Sequence, residues 1–268
     1  MHTLTARDPF LDPRLIAQRN FFISLLLIAF YGLLTVPVMV LMPAFLDELR
    51  GYGIATIGLL QTPRGVGLLA ALIVSGRITG RVDPRTLIAF GLLCMAVASA
   101  EMTRWNTDVG AWPIVWTGFI QGIGAGIMLV PIQVIAFPSL APEQRTEAAA
   151  VFNLVRSVSS SIGVSITLTL LVMNSAISRA GMVEHVSPYS QALRLRGGLD
   201  VFDAGTGQPL AVIEREIERQ AMMIGYNADF VFLTVAAIAA LPLLLLVGRR
   251  SAVGTLDEGD RAPLVIRD

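Results

Sequence analysis

The stretch "QTPRGVG", residues 61–67, lies halfway along a run from Gly53 to Gly76 in which Arg64 is the only charged side chain. A run of that length can cross a bilayer as a helix, and a charge at mid-depth is expensive unless it is partnered. Arg64 follows Pro63, which removes a backbone donor, and precedes Gly65 and Gly67, which let another helix or a solute come close. Five guanidinium donors suit the carbonyls that a distorted helix leaves unpaired, or an acidic partner. Arg64 is therefore expected to face a bundle interior or a wet cavity. Gln61, three residues earlier, shares its face.

The whole chain agrees with a membrane reading. Of its 268 residues, 54% are hydrophobic and 15% charged, well below the roughly one quarter charged of an ordinary globular domain. The 20 basic residues, all arginine, balance 20 acidic ones, so no net field points to nucleic acid. Cys94 is the single cysteine, which excludes an intrachain disulfide. His2 and His185 are far apart in polar segments and make a poor metal site. No cofactor is expected.

Six apolar stretches have spanning length, near 21–46, 53–76, 86–104, 111–137, 148–174 and 228–248. The first contains Pro37 and Pro43 and is expected to bend or tilt. Arginines mark one side of the membrane: Arg7, Arg14 and Arg19 before the first span, Arg77, Arg81 and Arg85 after the second, Arg249 and Arg250 after the sixth. The opposite connections hold Arg50 and Arg104. Both termini are thus expected in the cytoplasm, with Tyr52, Trp105 and Trp112 in an aromatic belt on the far side.

This divides the chain into a cytoplasmic segment 1–20, five spans within 21–174, an extracytoplasmic segment 175–227, a sixth span 228–248 and a polar tail 249–268. Within the outer segment Leu210, Ile213, Ile217, Ala221 and Ile224 recur at helical spacing, opposite Glu214, Arg215, Glu218 and Arg219. The expectation is a surface helix lying on the bundle, or a docking site for a partner.

The fifth span, "AAAVFNLVRSVSSSIGVS" (148–165), repeats the theme of the second. Asn153 and Arg156 share a face, and the serines and Gly163 that follow permit close helix contact. Spans two and five correspond if the bundle is two inverted triplets, an arrangement many transporters use. Two polar stripes suggest a shared hydrated cavity, although Arg156 could equally snorkel or bond to carbonyls. In the fourth span, "GFIQGIGAG" (118–126), Gly118, Gly122 and Gly126 recur at every fourth residue as a packing stripe, with no preceding strand to suggest a nucleotide fold. Gln121 and Gln133 are further candidates for the cavity wall.

Several segments carry a resemblance. "GRITGRVDPR" (76–85) resembles a degenerate second copy of the cytoplasmic loop motif of the major facilitator superfamily, with Gly76, Arg77, Arg81, Asp83 and Arg85 in the loop and Gly80 where the motif usually has aspartate. "DPFLDPRLIAQRNF" (8–21), "FNLVRSVSSSIGVS" (152–165) and "IERQAMMIGYNADFVF" (217–232) resemble segments of the C-terminal half of the EmrB/QacA-type fourteen-span drug exporters. The resemblance covers almost the whole chain and half the family's length. It implies the C-terminal six-helix bundle of a proton-coupled exporter of small apolar or cationic compounds in the bacterial inner membrane. It also implies alternating access, with a first half, or a second copy, as partner and a periplasmic adaptor as a further candidate. The other readings are a non-transporting scaffold, an accessory subunit or an inactive truncated paralogue. An enzyme finds no support: HExxH, paired intramembrane aspartates and a serine within reach of a histidine are all lacking.

Overall fold

The six apolar stretches become six long helices in the computed structural model, which describes residues 19–137, 144–185 and 208–246. They are α1 (Arg19–Glu48), α2 (Ile54–Ile78), α3 (Pro84–Met102), α4 (Ala111–Ala136), α5 (Gln144–His185) and α6 (Gln208–Ala240), with a short α7 (Leu243–Leu246) after a turn at Leu241 and Pro242. All six are long and apolar enough to cross a membrane. The fold is all-α, and no strand occurs among the described residues.

The first four helices start and stop close to where the hydropathy places them. Two expectations change. The fifth helix does not end near 174 but continues to His185, a length of 42 residues or about 63 Å at the α-helical rise, twice a hydrocarbon core. The amphipathic stretch 210–224 is not a separate surface helix. It is the first part of α6, because nothing between Gln208 and Gly225 breaks a helix. Arg179 of α5 and Glu214 of α6 pair at 3.0 Å, tying the two extensions together. Of the expected apolar face, Ala221 is buried and Ile217 half-buried, whereas Ile224 is exposed; Arg219, expected on the opposite face, turns inward. The side chains of Leu210 and Ile213, the segment between α5 and α6, and the segments 1–18 and 247–268 lie outside the described residues.

Helix α1 is the central element, packing on α2, α4, α5 and α6, with Leu27, Ile28, Phe45 and Leu46 fully enclosed. Around it α2 packs along α4, α3 against α4 and α6, and α5 against α1 and α6. Exchanging α1 with α4, α2 with α5 and α3 with α6 carries the α2–α4 contact onto α5–α1 and leaves α1–α4 and α3–α6 unchanged. Two related triplets would produce that pattern. The symmetry is partial, because the α5–α6 contact has no comparable counterpart between α2 and α3.

Lipid chains are as apolar as leucine, so helices in a bilayer associate by close packing and polar contacts. Glycines supply the close packing here. A Cβ on Gly122 would overlap the Arg64 carbonyl, and one on Gly126 the Leu68 carbonyl, at the α2–α4 crossing. At α1–α5 a Cβ on Gly32 would lie 2.6 Å from the Arg156 carbonyl, and one on Gly163 3.0 Å from the Leu33 carbonyl. Each arginine's own carbonyl thus rests on a glycine of the opposite triplet. The prolines fit the same scheme. Pro131 cannot donate to the Ile127 carbonyl one turn back, and Ser75 Oγ of α2 donates to it instead at 3.1 Å.

The two ends of the bundle differ. At one, carrying Arg77 and Arg81, Arg19 donates to the Leu246 carbonyl at 2.8 Å. At the other, Arg50 and Arg219 both donate to the Thr107 carbonyl at 2.9 Å, and Arg219 also to that of Leu49. Trp105, expected in an outer belt, is instead buried in a cluster with Phe45, Tyr226 and Phe230, while Trp112 is exposed. Trp105 lies in the turn after α3, with its ring centroid 5.5 Å from that of Phe45 and 5.8 Å from that of Phe230.

Candidate functional site

The guanidinium of Arg64 points into the bundle toward α1. Its Nη2 donates to the Thr35 carbonyl at 2.8 Å, while Nη1 is buried and has no partner among the described residues. The carbonyl it satisfies is therefore one of α1, not one freed by Pro63 in its own helix. Gln61 and Gln121 stand beside it, with Gly118, around a cavity of about 10 Å³. That is room for about one water. Gln121 is buried and neither atom of its amide finds a hydrogen bond. Donors and acceptors are thus enclosed here without being used up, and such groups are costly unless water or a ligand completes them.

Arg156 lies on the other flank. With Gln133 and Asn153 it lines a cavity of about 190 Å³ between α4 and α5. Asn153 Nδ2 donates to the Ala149 carbonyl at 3.0 Å, but the Arg156 guanidinium makes no hydrogen bond or ion pair to any described residue. The six candidates thus fall into two groups of three, and not into one cavity. What lies between them is Tyr31 of α1, 7% exposed and within electrostatic reach of both Arg64 and Arg156.

Tyr31 and Thr35 have no place among the sequence-derived candidates. In a run as uniformly apolar as α1, one tyrosine and one threonine four residues apart are the signal, and both fall on the face toward the arginines. Asp229 of α6 also lies inside the bundle, with its carboxyl enclosed at 0% exposure and neither oxygen partnered among the described residues. One turn earlier Tyr226 donates to Glu48 Oε2 at 3.3 Å.

Two guanidiniums are thus held by the second and fifth of six helices long and apolar enough to cross a membrane. Residues 4–172 match the sequence profile of the Major Facilitator Superfamily. The chain belongs to that superfamily. It is similar to the fatty acid resistance protein FarB of Neisseria gonorrhoeae, 26% identical over 91% of this chain and 48% of the relative. It is also similar to the multidrug export protein EmrB of Escherichia coli (29%, over 85% of this chain and 45% of the relative) and to the probable multidrug resistance protein EmrY of the same organism (28%, over 91% and 47%). The chain spans about half the length of the curated relatives it matches. It is a multi-pass protein of the bacterial inner membrane.

The segment 76–85, which resembles the superfamily's loop motif, spans the end of α2, the α2–α3 turn and the start of α3. Gly76 and Arg77 sit in the last turn of α2, and Asp83 caps α3, its Oδ1 accepting from the Arg85 backbone N–H at 3.0 Å with Pro84 in the first helical position. Thr79 anchors the turn from below through its hydroxyl and the Ser75 carbonyl. Arg77 and Arg81 project outward. The backbone of the turn is thus held by side-chain bonds, while Arg77 and Arg81 are exposed. Gly118 has open space where Gly122 and Gly126 do not: its nearest neighbour would be the Arg64 Cβ at 3.7 Å.

Proposed function

We propose that this chain is the C-terminal six-helix half of a proton-coupled efflux transporter that exports small amphipathic compounds by alternating access, and that it is not an enzyme. The observation that carries this reading is the pair Arg64 and Arg156, cations of α2 and α5 held on either side of Tyr31 in a bundle of apolar helices. Such charges are kept in a membrane where solutes or ions pass. In this reading Gln61, Arg64 and Gln121 form one wall of the solute path and Gln133, Asn153 and Arg156 the other, and the Arg77 end with both termini faces the cytoplasm. Asp229 is the enclosed carboxyl that the bundle offers for coupling to protons.

A partner bundle is part of the proposal. Asn153, Ser157, Ser161, Ser165 and Thr169 recur every fourth residue along α5 and are all exposed. Asn153, Ser161 and Thr169 donate to carbonyls one turn back, and a row of small polar residues of this kind is the surface on which another membrane helix packs. A first half encoded elsewhere, or a second copy, would cover it and complete the path, because in two-bundle transporters the site lies between halves. The joined extensions of α5 and α6 are where a periplasmic adaptor would dock.

The test is drug accumulation in cells expressing this chain alone, beside cells that also express a matching first half, with Arg64→Ala in each. Energy-dependent export in the paired cells, lost in the variant, is the expected result. Stable insertion with no export in either case would replace the transporter reading with that of a scaffold. Orientation is checked separately: in a Cys94→Ser background, Arg81→Cys should react with membrane-impermeant thiol reagents only from the cytoplasmic side and Asp108→Cys only from the periplasmic side.

A further inference from the structure

Polar groups that do not satisfy one another converge where α1, α2 and α4 meet. Arg64 Nη1 is enclosed without a partner among the described residues, and so are both polar atoms of the Gln121 amide, on a side chain only 1% exposed. Both residues line the cavity of about 10 Å³ that Gln61 and Gly118 share. Helix α2 runs from Ile54 to Ile78, so Arg64 is at least about 15 Å along the axis from either end of it. The site is therefore inside the membrane domain and not at its rim.

The charge there is incompletely answered. The Thr35 carbonyl that Arg64 Nη2 reaches is a dipole. The titratable group within electrostatic reach of the guanidinium among the described residues is Tyr31, not a carboxylate. A water molecule would satisfy Nη1 but leave the charge unpaired, and a buried charge costs far more than a buried dipole. An anion meets both needs, with the guanidinium and the Gln121 amide as its N–H donors. Space sets its size. Room for about one water shuts out polyatomic anions such as sulfate. A monatomic anion is only a little larger than water, and Gly118 gives way to it, since the nearest neighbour of a Cβ there would be the Arg64 Cβ at 3.7 Å.

We propose that Arg64 and Gln121 hold a chloride-sized inorganic anion as a built-in counter-ion. The inference rests on the transporter reading only for its consequence: a solute path whose α2 wall is neutralised in this way lets a cationic compound pass Arg64. The site itself is a matter of binding and is tested without transport.

The experiment uses the full chain in nanodiscs of neutral phosphatidylcholine, with sodium chloride exchanged for sodium gluconate at constant ionic strength. Binding is read from the broadening of the chloride NMR line, and its effect on the fold from the melting temperature. Chloride should broaden and stabilise saturably, and bromide should displace it. Sulfate and gluconate should do neither. Arg64→Met should abolish the saturable component. Gln121→Leu should weaken it about fivefold, the worth of one hydrogen bond. Gly118→Ala narrows the cavity and should weaken it while the fold is kept. Arg104→Gln, which removes an exposed arginine outside the cavity, should leave it unchanged.

If Arg64→Met does not fold, the anion series on the unsubstituted chain and the Gly118→Ala variant still decide. Equal line widths and melting temperatures in chloride and gluconate would overturn the proposal and leave a single water beside Arg64. Displacement by sulfate would overturn it by showing an open surface site, and saturable binding kept in Arg64→Met by placing the ion elsewhere. Chloride binding without export in paired cells would sink the transporter reading and leave the site standing. Export without chloride binding would do the reverse.

Discussion

Arg64 Nη2 donates to the backbone oxygen of Thr35 across 2.8 Å, joining α2 to the central helix by a charged hydrogen bond inside the membrane domain. The other terminal nitrogen is buried and has no partner among the described residues. A buried charge that is only partly satisfied stabilises little, since desolvation offsets most of what its bonds return. Arg64→Met is therefore expected to change the unfolding free energy by less than about 1 kcal/mol. Export in paired cells should nonetheless fall to background. Thermal unfolding in detergent and drug accumulation, measured on the same variant, separate a working residue from a structural one.

The glycine stripe of α4 makes a sharper structural prediction. Gly122 faces the Arg64 carbonyl with no room for a methyl group, while Gly118 has its nearest neighbour at 3.7 Å. Gly122→Ala must push α2 away from α4 and should cost about 2 kcal/mol or more, with a lower melting temperature and loss of monodisperse protein. Gly118→Ala should be close to neutral. Equal behaviour of the two would mean that the helices do not cross where the structure has them.

The contrast between these glycines shows what a sequence can and cannot convey. Spacing alone groups Gly118, Gly122 and Gly126 into one stripe, and the stripe does lie along α2. Which of them touches depends on the crossing point, set by side chains of two helices far apart in the chain. The same holds for the site. Arg64 and Arg156 are legible because charge in an apolar run has few explanations, and the interior placement of Arg64 follows from cost. Their division into two groups about Tyr31 is not legible, since it depends on how α1 lies between α2 and α5. The enclosure of Asp229 is not legible either, since it depends on how α6 packs near Glu48 and Trp105. Trp105 likewise follows from the path of a turn that no periodicity describes.

Ser75 and Pro131 should prove coupled. The hydroxyl of one replaces the N–H that the other lacks at the Ile127 carbonyl. Ser75→Ala should cost about 1 kcal/mol, the ordinary worth of such a bond. Pro131→Ala supplies an in-helix donor to the same oxygen, so in that background Ser75→Ala should cost almost nothing, a coupling of about 1 kcal/mol in a double-mutant cycle. Independent effects would show that the serine bond is incidental to the proline.

Asp229 offers the decisive test of proton coupling. Its carboxyl is enclosed among Tyr226, Phe230 and the neighbouring helices, and neither oxygen has a partner among the described residues, so an amide of the same shape loses no hydrogen bond. Asp229→Asn should therefore keep thermal stability within about 1 kcal/mol of the unsubstituted chain. It cannot exchange a proton. If this carboxyl couples export to the proton gradient, paired cells carrying Asp229→Asn should no longer expel drug against a concentration difference, while proteoliposomes still exchange labelled for unlabelled drug at equal concentrations. Loss of both activities in a stable protein would make Asp229 part of the solute path, and retention of gradient-driven export would place the coupling carboxyl in the partner bundle. Only the first outcome agrees with a bundle in which the arginines meet the solute and the aspartate meets the proton.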